Sequence, residues 1–154
     1  MSSTDQRPTR LAAPASATVL ELLDRAGASL LHATQAADTG ERYVAAHLGA
    51  LRAAAAVLAA RTTPGGSSRP RSVWQVLPGL APELTEWAVF FAGSARQRAL
   101  VERGDRTLPA READDLLRQA EVFLDLVHDL LGAPRRLALP AYLASPGVHH
   151  RLTG

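Results

Sequence analysis

No cysteine and no lysine occur in this chain of 154 residues, and its aromatic side chains are three Phe, two Trp and two Tyr. Without cysteine there is no disulfide framework, no thiolate chemistry and no cysteine-held metal. β-Branched residues are also sparse, so a sheet-rich core lacks its usual material, whereas abundant alanine favours packed helices. An all-α fold follows. All 17 basic residues are arginine, set against 15 acids for a net charge of +2. That usage, alongside many alanines and glycines, is what GC-rich coding produces, and it carries little functional weight. The N-terminus has no apolar signal-peptide core, and no apolar run reaches the roughly 20 residues of a membrane span. The expected location is therefore cytoplasmic, with no membrane involved. A chain of this length suits one domain, which buries roughly 70% of the surface its unfolded form exposes.

The polar residues 1–15, with Pro8 and Pro14, read as a disordered leader. Residues 16–132 read as a helical bundle and 133–154 as an extended or disordered tail. The first helix is predicted over 18–37, started by a capping box of Thr18 and Glu21. Its apolar stripe includes Val19, Leu23, Ala26, Leu30 and Ala33. Asp38, with Glu41 three residues on, starts a second helix over 39–61. Proline, glycine and serine then make 62–71 a loop. Ser72 caps a short helix over 72–77, which Pro78 and Gly79 stop. Pro82 opens a helix over 82–103 that Gly104 ends, and Pro109 opens the last, over 109–131, closed by Gly132. From Asp105 to Asp129 there are seven acids and three arginines. Arg135, Arg136 and Arg151 oppose that charge, so the tail is expected to lie across the last helix.

Three groups of residues invite a chemical reading. Arg42 and His47 have the form Arg-x-x-x-x-His. Histidine can move a proton on a ribose 2′-hydroxyl and arginine can neutralise charge on the phosphate. On a regular helix, however, five residues leave the two side chains about 140° apart. His47 also shares an apolar spacing with Val44, Leu51, Ala55 and Leu58, which suits a packed histidine better than a catalytic one. Arg96, Arg98 and Arg103 cluster at the end of the fourth helix, where they can contact phosphate. Asp125 and His128, with Glu121 one turn earlier, have a metal-chelating spacing, yet helices 1 and 2 supply no second ligand set. No metal and no cofactor are expected.

The segments "RYVAAHLGALRAAAAVLAAR", "APELTEWAVFFAGSARQRALVERG" and "READDLLRQAEVFLDLV" together resemble the HEPN domain, in particular a small family of HEPN proteins from high-GC actinobacteria. The resemblance covers about residues 18–132 and is most specific in the acid-rich closing helix. It implies an up-and-down helical bundle, frequently dimeric, associated with RNA or nucleotide binding. Some members are metal-independent ribonucleases of toxin or defence systems that use an Arg-x(4 to 6)-His motif. Arg42 and His47 satisfy that spacing. Active members usually place the motif later in the bundle, with a polar residue after the arginine, whereas here it lies in the second helix and is followed by Tyr43. The expected function is a non-catalytic module binding RNA, a nucleotide or a protein partner. The alternatives are a ribonuclease using Arg42 and His47, in a composite site of a homodimer, and a structural helical interaction protein.

Overall fold

A computed structural model describes residues 16–62, 71–104 and 107–135. It consists of α1 (Ala17–Gln35), α2 (Thr39–Arg61), α3 (Val73–Leu80), α4 (Thr85–Glu102) and α5 (Ala110–Leu131), with a 3₁₀ turn at Pro82–Leu84 leading into α4. No strand occurs among the described residues. Over the described residues the chain is an all-α bundle of four long helices and a short one. The expected leader, most of the 62–71 loop and the tail beyond Arg135 lie outside the described residues.

Capping sets most of the boundaries. The Asp38 carboxylate accepts the Glu41 amide at 2.8 Å and starts α2 where predicted. Ser72 does the same for Gln75 at 3.3 Å. At α1 the cap is Ser16 rather than Thr18: its hydroxyl accepts the Val19 amide at 3.2 Å. Ser16 has the extended backbone that a cap requires (φ −60°, ψ 157°), and Ala17 then continues as a good helix former. Helix α1 ends at Gln35, short of the predicted residue 37, because Ala36 turns extended and frees the chain to recap at Asp38. Pro78 does not stop α3. A proline forfeits only its own amide, and the helix runs to Leu80 before Ala81 leaves helical geometry. Pro82 opens the 3₁₀ turn, so α4 begins at Thr85. Gly104 and Gly132 take positive φ (73° and 59°) at the ends of α4 and α5, where a side chain would be strained.

Helix α2 occupies the centre. It packs most extensively on α1 and α5, and also on α3 and α4. The predicted stripe of Val44, Leu51, Ala55 and Leu58 is only half-buried, and the interior instead takes Tyr43, Ala46, Ala50, Ala53, Ala54 and Val57. A helix covered on several sides has no single apolar face, so spacing alone misplaces its seam. The same covering corrects the reading that no segment is apolar enough to cross a membrane. By length and composition Thr39–Arg61 is, yet 56% of its most apolar window is buried inside this bundle.

Small residues let the helices approach closely. A Cβ added at Gly49 would lie 2.8 Å from Leu30 Cγ and 3.3 Å from the Ala26 carbonyl oxygen, whereas one at Gly27 would meet nothing within 4 Å. Opposite α1, the rings of Trp74, Phe91 and Phe123 join α3, α4 and α5, with centroids 5.1 Å apart for Trp74–Phe91 and for Phe91–Phe123. Trp87 extends the cluster at 5.4 Å from Phe123.

After Gly132 the chain turns back on α5. Ala133 is buried, and Arg135 reaches Asp125 at 2.9 Å and Asp129 at 3.7 Å. The expected charge pairing with the last helix thus begins at Arg135; Arg136 and Arg151 lie outside the described residues.

The glycines yield a paired prediction. Gly49→Ala should lower stability by about 1 kcal/mol, because overpacking of about 2 kcal/mol exceeds a helix-propensity gain of about 1 kcal/mol. Gly27→Ala, which meets no neighbour, should raise it by about 0.5 to 1 kcal/mol. Urea denaturation of the two variants beside the wild type checks both signs.

Candidate functional site

His47 lies in the core. It is 1% exposed and sits one helical turn after Tyr43, on the side of α2 that meets α3 and α4. Its Nδ1 is 2.7 Å from the Ser94 hydroxyl. That hydroxyl is also 3.0 Å from the Phe91 carbonyl, to which it donates its single proton. The ring therefore donates from Nδ1 to Ser94 Oγ. Trp74 and Phe91 close around the ring edge-on, with centroids 5.8 and 6.5 Å away. Burial, and secondarily the positive charge of Arg98, pushes the His47 pKa down to about 4. At neutral pH the imidazole is uncharged.

Arg42 has other partners. One guanidinium nitrogen meets Asp114 of α5 at 2.5 Å, and another donates to the Ala36 carbonyl at 2.8 Å. It closes the end of α1 and ties α2 to α5. Within the Arg-x-x-x-x-His motif, each side chain thus has separate partners, on different neighbouring helices.

The three α4 arginines divide. Arg96 and Arg103 are exposed. Seven residues apart, they lie within about 20° of one helical face and about 10 Å apart along it. Arg98 points elsewhere. It is one turn after Ser94 and largely covered, it lies 3.8 Å from Glu102, and its charge is the one that reaches His47. The structure therefore brings Arg98, Ser94 and His47 to one region and leaves Arg96 and Arg103 as a separate pair. Ser94 escaped the sequence reading, although a serine among Trp87, Phe91 and Ala95 on an apolar face is the signal that a buried polar partner is needed.

On α5, His128 is buried and donates from Nδ1 to the Ala133 carbonyl at 3.1 Å, while Asp125 faces Arg135. These contacts give both residues structural partners in place of a shared cation. Among the described residues no group of three His, Asp or Glu side chains gathers at one point.

Besides a cleft of about 230 Å³ between α1 and α2 that Ser29, His32, Leu48 and Arg52 line, two larger clefts open among the described residues. One, of about 360 Å³, lies where α4 and α5 diverge over α2 and is lined by Tyr43, Phe90, Ser94, Gln97, Glu112 and Asp115 among others. The other, of about 440 Å³, lies between α1, α2 and the end of α4; Val44, Leu48 and Val101 floor it, and His32, Glu41 and Glu102 rim it. His32 is solvent-exposed, as its place off the apolar stripe implies, and pairs with Glu41 at 2.8 Å. Neither cleft was legible in the sequence, because each is shaped by three helices.

The neutral state of His47 carries a pH dependence. With a folded pKa near 4 against an ordinary 6.5, the unfolded chain binds the proton more readily. Stability from this group is complete above about pH 6.5 and is lost as pH falls toward 4, about 2 kcal/mol of it by pH 5. His47→Leu should remove that part of the acid sensitivity while changing stability at pH 7.5 by no more than about 1 kcal/mol, since Ser94 keeps its bond to Phe91. Denaturation curves for both proteins at pH 7.5 and pH 5 test this.

The family model described as HEPN_SAV_6107-like HEPN matches residues 33–128, from the last turn of α1 nearly to the end of α5. No curated protein and no solved structure shows significant similarity to the chain. A match over well over half of the sequence, coincident with a helical bundle, shows that the chain belongs to the HEPN domain family.

Proposed function

We propose that this HEPN domain acts by binding a partner and does not cleave RNA. The observation that carries the reading is the enclosure of His47. A general acid or base must come within about 3 Å of the hydroxyl it serves, and this ring is 1% exposed and already bonded to Ser94. Its low pKa leaves it a weak base at neutral pH. Arg42 is engaged by Asp114 and the Ala36 carbonyl, so its charge is already paired within the bundle. Both halves of the motif have structural work.

Of the ligand classes that HEPN domains take, the α4–α5 cleft favours a protein over RNA or a nucleotide. The α4–α5 cleft offers Glu112 and Asp115, and no arginine is among the described residues that line it. A phosphate there would meet carboxylates. Arg96 and Arg103 are the surface an RNA backbone would use, on a different face of α4 from the cleft.

The purified protein should leave single-stranded RNA intact without added metal, and so should His47→Leu and Arg42→Ala. Arg42→Ala should still lower stability by about 1 kcal/mol, through loss of a half-exposed ion pair and of a carbonyl cap. Wild-type cleavage that disappears in both variants, with their melting temperatures unchanged, would reverse the conclusion.

A further inference from the structure

Helices α4 and α5 run antiparallel: Trp87 and Phe91 meet Phe123 at one end, and Gln97 shares the cleft with Glu112 at the other. On α5 the residues Glu112, Asp115, Gln119, Val122 and Leu126 recur at three- and four-residue steps, which places them on one face. Because Glu112 and Asp115 line the cleft, that face continues along the α4–α5 seam as Gln119, Val122 and Leu126. Val122 is 49% exposed, Leu126 37%, and Phe90, on the α4 side of the seam, 46%. The seam is acidic at one end and apolar at the other.

We propose that this seam is the docking surface for a segment of another protein that presents apolar side chains to Phe90, Val122 and Leu126 and an arginine or lysine to Glu112 and Asp115. The inference deepens the binding reading above and rests on it. Large apolar side chains left exposed in register mark an interaction surface. Charge then selects the occupant. Of the α5 carboxylates, Asp114 pairs with Arg42 and Asp125 and Asp129 with Arg135, whereas Glu112 and Asp115 line the cleft. A two-fold contact that aligned the cleft ends of two copies would set Glu112 and Asp115 against their own counterparts. A nucleic acid would bring phosphates to the same carboxylates. A basic segment matches them, and α5 already holds one arginine this way: Arg135 bridges Asp125 and Asp129. Asp115 contacts Arg118 and Arg111 only at 3.4 and 4.0 Å, all three side chains being more than half exposed, so its carboxylate can still accept a closer cation.

The probe is a fluorescein-labelled synthetic peptide of about fourteen residues, with leucines at helical spacing and arginines at one end, compared with the same peptide carrying glutamates for the arginines. The wild-type protein should bind the arginine peptide at least about tenfold more tightly than the glutamate peptide, and Phe90→Asp, Val122→Asp and Asp115→Lys should each weaken that binding by about tenfold or more. These positions are exposed, so helicity and melting temperature should stay at wild-type values, and two apolar variants guard against one failing to fold. Equal affinity for the two peptides overturns the proposal, as does binding that the variants leave unchanged or no binding at all. So does a wild-type dimer in sedimentation that Val122→Asp dissociates, since a second copy would then hold the seam. Competition by a single-stranded RNA of about twenty nucleotides overturns it too. RNA cleavage by the wild type would sink the non-catalytic reading whatever the peptides do, so the two failures are separable.

Discussion

The bundle depends on one constraint: α2, 23 residues long, must be covered by four other helices. A helix enclosed in this way can carry little bulk, because neighbouring axes packed about 8 to 10 Å apart leave room mainly for small side chains. Its buried positions are accordingly Ala45, Ala46, Gly49, Ala50, Ala53, Ala54 and Ala56, with Tyr43, His47 and Val57 as the larger members. The volume that α2 does not supply comes from its neighbours. Leu23 and Leu30 reach in from α1, and Trp74, Phe91 and Phe123 from α3, α4 and α5. Few aromatics are needed, since most of them converge on the same region.

That packing also decides the chemistry of His47. A polar ring in such an interior must have a hydrogen-bond partner and must be neutral, or its burial would cost several kcal/mol. Ser94 supplies the partner and desolvation supplies the neutrality. Arg98 reinforces it by disfavouring a second positive charge nearby. The three residues form a polar insert that fixes α4 against α2. Arg42 has the corresponding task at the other side of α2, joining the end of α1 to α5 through Ala36 and Asp114.

Membership of the HEPN family therefore conveys the bundle without conveying a reaction. A family fold positions helices, and function resides in the side chains that reach its surface. Here the motif spacing is present but His47 is buried and Arg42 is paired with Asp114, while the surface between α4 and α5 keeps Phe90, Val122 and Leu126 in contact with solvent.

Much of the architecture was legible in the sequence, because caps and breakers act within a few residues. Asp38 before Glu41, Ser72 before Gln75, and the glycines at 104 and 132 each set a helix end by local hydrogen bonding or by backbone freedom. The apolar stripe of α1 was equally clear, since that helix buries one face. Helix α2 was different. Its seam could not be read from Val44, Leu51 and Leu58, because an alanine-rich helix is nearly as apolar on one side as on another and only its neighbours decide what is inside. For the same reason the sequence could place Arg42 and His47 five residues apart and leave open whether they met. Their partners, Asp114 at 72 residues' separation and Ser94 at 47, were decided by tertiary packing, in which contacts far apart along the chain outweigh spacing within one helix.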